Sequence, residues 1–162
     1  MNITEILPGI HYVGVNDRTT TRFEGLWSLP QGVSYNAYLV ADEKVALIDT
    51  VEEGFGSRLT ENIREAIGDR KIDYLVINHM ELDHEGSLCE VISACKPEKI
   101  FCSTMALKSM AGYYGDKMKD WPVQAGKSGD KISIGKHTLV FQETRMLHWP
   151  DSMVTYFPEA KI

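Results

Sequence analysis

No basic, apolar leader opens this chain: Met1-Asn2-Ile3-Thr4-Glu5 lacks the positive start and the apolar stretch of roughly 7 to 15 residues that a secretory signal needs. No apolar run approaches the roughly 20 residues of a membrane-spanning helix, so the expected address is the cytoplasm, with no membrane partner. Clusters of Lys and Arg are missing too. With a formal charge of −6 and a pI near 5.3, the chain carries no electrostatic footprint for nucleic acid. Cysteine is scarce: Cys89, Cys95 and Cys102 form an odd set without a C-x-x-C pair, which excludes a disulfide framework and a thiol metal or redox pair. They are expected to be buried thiols. Internal repeats, low-complexity segments, an interdomain linker and a Gly-rich phosphate-cradling loop are likewise absent.

What is present is 162 residues, 43% of them apolar, enough to bury one core in one domain. Short β-branched runs at 10–15, 35–40 and 45–49 predict antiparallel strands, the last two joined by Asp42-Glu43-Lys44. Leu59, Ile63, Ala66 and Ile67 then fall at helical spacing over 57–67, with Gly68 placed to end the helix. The continuous apolar run Ile72-Asp73-Tyr74-Leu75-Val76-Ile77 predicts a strand covered on both faces. Helices are expected over 87–94 and 106–114, a strand over 100–102, a hairpin over 131–141 and a strand over 154–157. Strands interleaved with helices in this way favour a layered α/β sandwich over a bundle or a barrel.

The chemistry concentrates just after the buried strand, where His79-Met80-Glu81-Leu82-Asp83-His84 sets two imidazoles and two carboxylates within six residues. His79 and Glu81, two positions apart, face the same side of an extended segment and can share one metal ion. Asp83 and His84 begin the next turn and can face a second, at a separation of roughly 3.5 to 4 Å. The competing reading is a solvated loop in which Asp83 caps the following helix, but capping needs one such residue and not four. Mixed imidazole and carboxylate sets favour iron and leave zinc open. His148 is a further candidate, although a lone histidine beside a tryptophan, here Trp149, is more often a packing residue. His11 and His137 lie in alternating strand patterns and are expected to pack.

His79-x-Glu81-x-Asp83-His84 resembles the signature of the flavodiiron proteins, a branch of the metallo-β-lactamase-like superfamily in which a glutamate replaces the second histidine typical of the zinc hydrolases. The likeness extends over nearly the whole chain. Gly32-Val33-Ser34-Tyr35-Asn36-Ala37-Tyr38-Leu39-Val40 and Ala46-Leu47-Ile48-Asp49-Thr50 resemble the family's opening strands, and His148-Trp149-Pro150-Asp151-Ser152-Met153 resembles the region of its next histidine ligand.

The resemblance implies a metallo-β-lactamase-like αββα sandwich, α/β with mixed α+β layers, of which residues 1–162 form most of the di-iron domain but not its C-terminal part. It implies that His79, Glu81 and His148 hold one iron and Asp83 and His84 the other, with Asp49 supporting the loop from behind. A bridging aspartate and a further histidine of the family pattern have no counterpart here, nor does the flavodoxin-like domain that carries FMN. The activity implied for a full-length protein is reduction of dioxygen to water or of nitric oxide to N2O. Electrons would come through FMN from a rubredoxin-like or deazaflavin donor, in a head-to-tail homodimer whose flavin contact Trp149 could help to shape. The alternatives are a zinc hydrolase of the same superfamily and a non-catalytic fragment, and these 162 residues alone are expected to bind iron poorly and to turn over nothing.

Overall fold

A computed structural model describes residues 3–162. The first third is all strand: β1 (Thr4–Leu7), β2 (Ile10–Tyr12), β3 (Val15–Asp17), β4 (Arg22–Phe23), β5 (Trp27–Ser28), β6 (Val33–Tyr35), β7 (Tyr38–Ala41) and β8 (Val45–Ile48). Helices and strands then alternate through α1 (Gly56–Ile67), β9 (Tyr74–Ile77), α2 (Leu82–Glu85), α3 (Leu88–Cys95), β10 (Lys99–Ser103) and α4 (Thr104–Tyr114). A 3-10 turn, Gly115–Asp120, leads to β11 (Val123–Gly126), β12 (Lys131–Ser133), β13 (Thr138–Glu143) and β14 (Met153–Tyr156).

The main sheet has seven strands in the order β1-β2-β7-β8-β9-β10-β11, antiparallel as far as β8 and parallel from β8 to β11. A second, three-stranded antiparallel sheet, β12-β13-β14, lies against it. Because side chains alternate across a strand, each central strand feeds two cores. Leu39, Leu47, Leu75, Ile77, Ile100 and Cys102 join Leu59 and Ile63 of α1, Val91 of α3 and Met110 of α4 on one face. Val40, Ala46, Ile48, Val76 and Phe101 meet Leu139, Phe141 and Met153 of the second sheet on the other. Burial on both faces is why β8 and β9 read as unbroken apolar runs. The layers are helix, sheet and sheet, and among the described residues no helix side chain belongs to the second core.

The strand expected over 10–15 is two strands broken at Val13-Gly14, where both amides donate to the Ala37 carbonyl. A Cβ on Gly14 would stand 2.2 Å from the Tyr35 carbonyl oxygen, so only glycine allows the two chains to cross this closely. The partner segment expected over 35–40 breaks at the same level, into β6 and β7, and Asn62 of α1 donates to the Val13 and Gly14 carbonyls freed by the break. The β4-β5 hairpin, β1 and β11 were not among the expected elements. Of the three cysteines only Cys102 is buried; Cys89 and Cys95 are half-buried, Cys95 at the edge of the first core. His137 does more than pack: its Nδ1 lies 2.7 Å from Asp42 Oδ2, tying the β12-β13 turn to the β7-β8 turn.

Candidate metal centre

The parallel strands β8 and β9 end side by side, and the polar cluster projects from their C-terminal edge, where loops in such sheets build sites. Asp49 follows β8 in the left-handed region, at φ 59°, a conformation that aspartate tolerates better than most residues. Its Oδ1 accepts the Asn78 amide at 2.6 Å and its Oδ2 lies 3.5 Å from His84 Nδ1, so it braces the loop from beneath. The next residues stitch the same loop from the side: the Thr50 amide and hydroxyl donate to the His84 carbonyl, and the Ser87 hydroxyl donates to the Glu52 carbonyl.

His79 is almost fully enclosed, with its Nε2 3.1 Å from Glu81 Oε2. His148, on the loop between β13 and β14, brings its Nε2 to 3.0 Å from the same oxygen. One ligand atom from each of His79, Glu81 and His148 lies within 4.8 Å of the others, a group able to hold a metal ion. Burial pushes the Glu81 carboxyl up, but the two imidazoles outweigh it and hold its pKa below the usual value, so the carboxylate stays ionised. Trp149 stands edge-on to the His79 ring, with ring centres 5.0 Å apart, and is 37% exposed rather than a core residue.

Asp83 and His84 face each other beside this group, with His84 Nε2 3.7 Å from Asp83 Oδ2. Asp83 does not cap the helix: it lies in the first turn of α2, whose N-cap is Glu81. Asp83 Oδ1 and His84 Nδ1 are buried without a hydrogen-bond partner among the described residues. His84 Nδ1 still faces Asp49 at 3.5 Å, whereas Asp83 Oδ1 has no such neighbour, and an orphaned buried carboxylate oxygen is rare and of the type that ligates a cation. Burial disfavours a charged His84, yet the carboxylates of Asp49, Asp83 and Glu81 prevail and raise its pKa. The donors therefore fall into one group of three, able to hold a metal ion, and an adjoining pair. A cavity of about 860 Å³ opens beside Glu81 and Asp83 toward Glu52, Tyr114 and Lys117.

The sequence reading did not assign Asp151, although it lies three residues past His148. Its Oδ2 accepts from His79 Nδ1 at 3.0 Å and from the Met80 amide at 2.8 Å, contacts that no spacing rule reveals because they join positions more than 70 apart.

A helix-sheet-sheet sandwich with histidine and carboxylate side chains gathered beyond the ends of parallel strands is the architecture of a β-lactamase-like domain. The family described as ODP family beta lactamase matches residues 33–162, and the chain belongs to that family. Over all 162 residues it is 49% identical to a rubredoxin-oxygen oxidoreductase of Megalodesulfovibrio gigas, of which it covers 40%. It is 40% identical over 158 residues to a nitric oxide reductase of Moorella thermoacetica, with 97% of this chain and 39% of the relative covered. The solved structure of a flavodiiron protein from Giardia intestinalis superposes with a TM-score of 0.89 at 32% identity, covering 98% of this chain and 38% of that one. The chain thus spans about two-fifths of the length of the relatives it matches. No helix among the described residues is long and apolar enough to cross a membrane.

Proposed function

We propose that residues 1–162 form most of the metal-binding domain of a flavodiiron oxidoreductase, with His79, Glu81 and His148 holding one iron and Asp83 and His84 the other. The observation that carries this reading is the convergence of two imidazoles on one ionised glutamate, with a partnerless buried oxygen of Asp83 beside it. When bound, two iron ions and an FMN carried outside these residues would supply the redox chemistry that reduces dioxygen to water or nitric oxide to N2O. Relatives bearing the names of an oxygen oxidoreductase and a nitric oxide reductase support both substrates. A rubredoxin-like or deazaflavin donor, a head-to-tail homodimer and a cytoplasmic location belong to the same proposal.

The side chains have definable tasks. Glu81, central between two imidazoles, neutralises positive charge at the shared position. Asp49 steadies both the loop backbone and His84. Trp149 shields the His79 ring from solvent while leaving the cavity at Glu81 and Asp83 open, and in a dimer it would lie where a flavin edge could approach.

Metal analysis of protein purified without oxygen tests this, on the 162-residue chain, on a chain lengthened beyond Ile162 and on Glu81→His. About two irons per lengthened chain is the expected result, with little iron and no turnover in the shorter one. Zinc in place of iron would replace the proposal with a hydrolase of the same fold, using a metal-bound hydroxide. No metal in either chain would reduce the domain to a structural role.

A further inference from the structure

We propose that Asp151 is a positioning residue of the metal centre, one that fixes which nitrogen His79 presents and draws the His148 loop onto the site. The proposal rests on the reading of His79 and His148 as ligands, but not on which metal they hold.

Asp151 is only 3% exposed, so little solvent reaches its carboxylate. A buried carboxylate is stable only when its oxygens accept hydrogen bonds, and Oδ2 accepts from His79 Nδ1 and from the Met80 amide. Because Oδ2 already serves as acceptor for the Met80 amide, the proton in the His79 contact sits on Nδ1. Nε2, which faces Glu81 and lies in the convergent group, is then left as the donor atom. Without Asp151 either nitrogen could carry the proton and the ring could turn over. The negative charge behind the ring also strengthens Nε2 as a ligand, the general effect of a carboxylate paired with a ligating imidazole.

The same residue anchors the second ligand. The His148 side chain is 61% exposed, and among the described residues its only hydrogen-bond partner is Glu81. Three residues on, Asp151 sinks into the seam between the sheets: its carbonyl accepts from the Ser103 hydroxyl at 2.7 Å, and Met153 donates its amide to the Asn78 carbonyl at 2.9 Å. The loop is thereby docked on the backbone that carries His79, and the span from Asp151 to His148 is short enough to transmit that placement.

The experiment is long-range ¹H–¹⁵N correlation NMR of the histidine rings, with Zn²⁺ as a diamagnetic probe, on the 162-residue chain and on Asp151→Asn and Asp151→Ala. A slowly exchanging, strongly deshielded Nδ1–H on His79 is expected in the parent, with or without zinc. Asp151→Asn keeps an acceptor but loses the charge; its signal should move upfield, and Zn²⁺ affinity should fall about 10-fold. Asp151→Ala should lose the signal, with affinity down by up to about 100-fold. A parent whose His79 shows no protected Nδ1–H overturns the proposal even if neither variant folds, and so does an Asn variant whose signal and affinity are unchanged. A parent that binds no zinc yet shows the protected Nδ1–H leaves the Asp151 assignment standing, and the affinity comparison is then made on the chain lengthened beyond Ile162.

Discussion

Replacing Gly86 by alanine tests whether the clamp behind Asp83 and His84 is rigid. Gly86 has ordinary right-handed backbone angles, φ −56° and ψ −28°, so alanine meets no conformational barrier there and the whole effect is one of space. Its Cβ would lie 2.5 Å from the Glu53 amide nitrogen and 2.6 Å from the Leu82 carbonyl oxygen, both backbone atoms that cannot rotate away. Relief to ordinary contact requires the 51–53 segment to retreat by about 1 Å, which stretches the Ser87 amide bond to Val51, now 2.8 Å, and the Ser87 hydroxyl bond to Glu52, now 2.7 Å. Overpacking of this kind costs about 1 to 3 kcal/mol, and two weakened hydrogen bonds add about 1 kcal/mol. Alanine returns about 1 kcal/mol through helix propensity and a less flexible unfolded chain. The net loss is about 2 kcal/mol, a fall of about 4 to 8 °C in Tm for a domain of this size. Gly112 in α4 is the internal control, because a Cβ there meets nothing within 4 Å and alanine should stabilise by about 0.5 to 1 kcal/mol. Thermal melts of both variants decide it: a Gly86→Ala protein at or above the parental Tm would show that the loop yields freely, and the argument that it fixes Asp83 and His84 would fail.

Acid should loosen the link between the sheets at Asp42. Although burial pushes this carboxyl up, hydrogen bonds from His137 and from neighbouring amides bring its pKa from an ordinary 3.8 down to about 2. The depressed value means that its stabilisation is complete above about pH 4 and is lost as pH falls toward 2; Asp42→Asn should flatten the acid limb of a stability-pH curve over that window, and an unchanged limb would refute it. Thiol labelling should distinguish the cysteines. Burial pushes Cys102 up to about 12, so at pH 8 it should stay unmodified until denaturant is added, while half-buried Cys89 and Cys95 react slowly; three thiols labelled in the native protein would contradict the described packing.

Apart from α2 and β11, the order of elements from β8 onward was legible because burial on both faces leaves a plain signal in Val45 to Ile48 and Tyr74 to Ile77, and because Gly68 marks the end of α1 with φ 63° and a bond to the Arg64 carbonyl. The first third was less legible. Apolar runs at 10–15 and 35–40 carry no mark of the crossing at Gly14, since the reason for the break is a carbonyl contributed by the other run. The two-residue β4-β5 hairpin buries too little to impose a period. At the site, local density gave away His79 to His84, whereas His148 was legible only through resemblance, and Asp151 not at all. Its partners are remote in sequence, and an aspartate after Trp149-Pro150 looks like any turn residue.

That division has a structural cause. The first sheet supplies Asp49 from the passage between β8 and α1 and the cluster from His79 to His84 from the passage between β9 and α2, while the second sheet supplies His148 and Asp151 from the turn between β13 and β14. Among the described residues no disulfide fixes one half against the other; Phe101 packed on Phe141 at 5.4 Å and Met153 in the shared core do so, together with the hydrogen bonds that cross the seam. Formation of the three-donor group therefore follows from burial of the second core, and Asp151, reaching across the seam to His79, is the point at which that packing becomes ligand geometry.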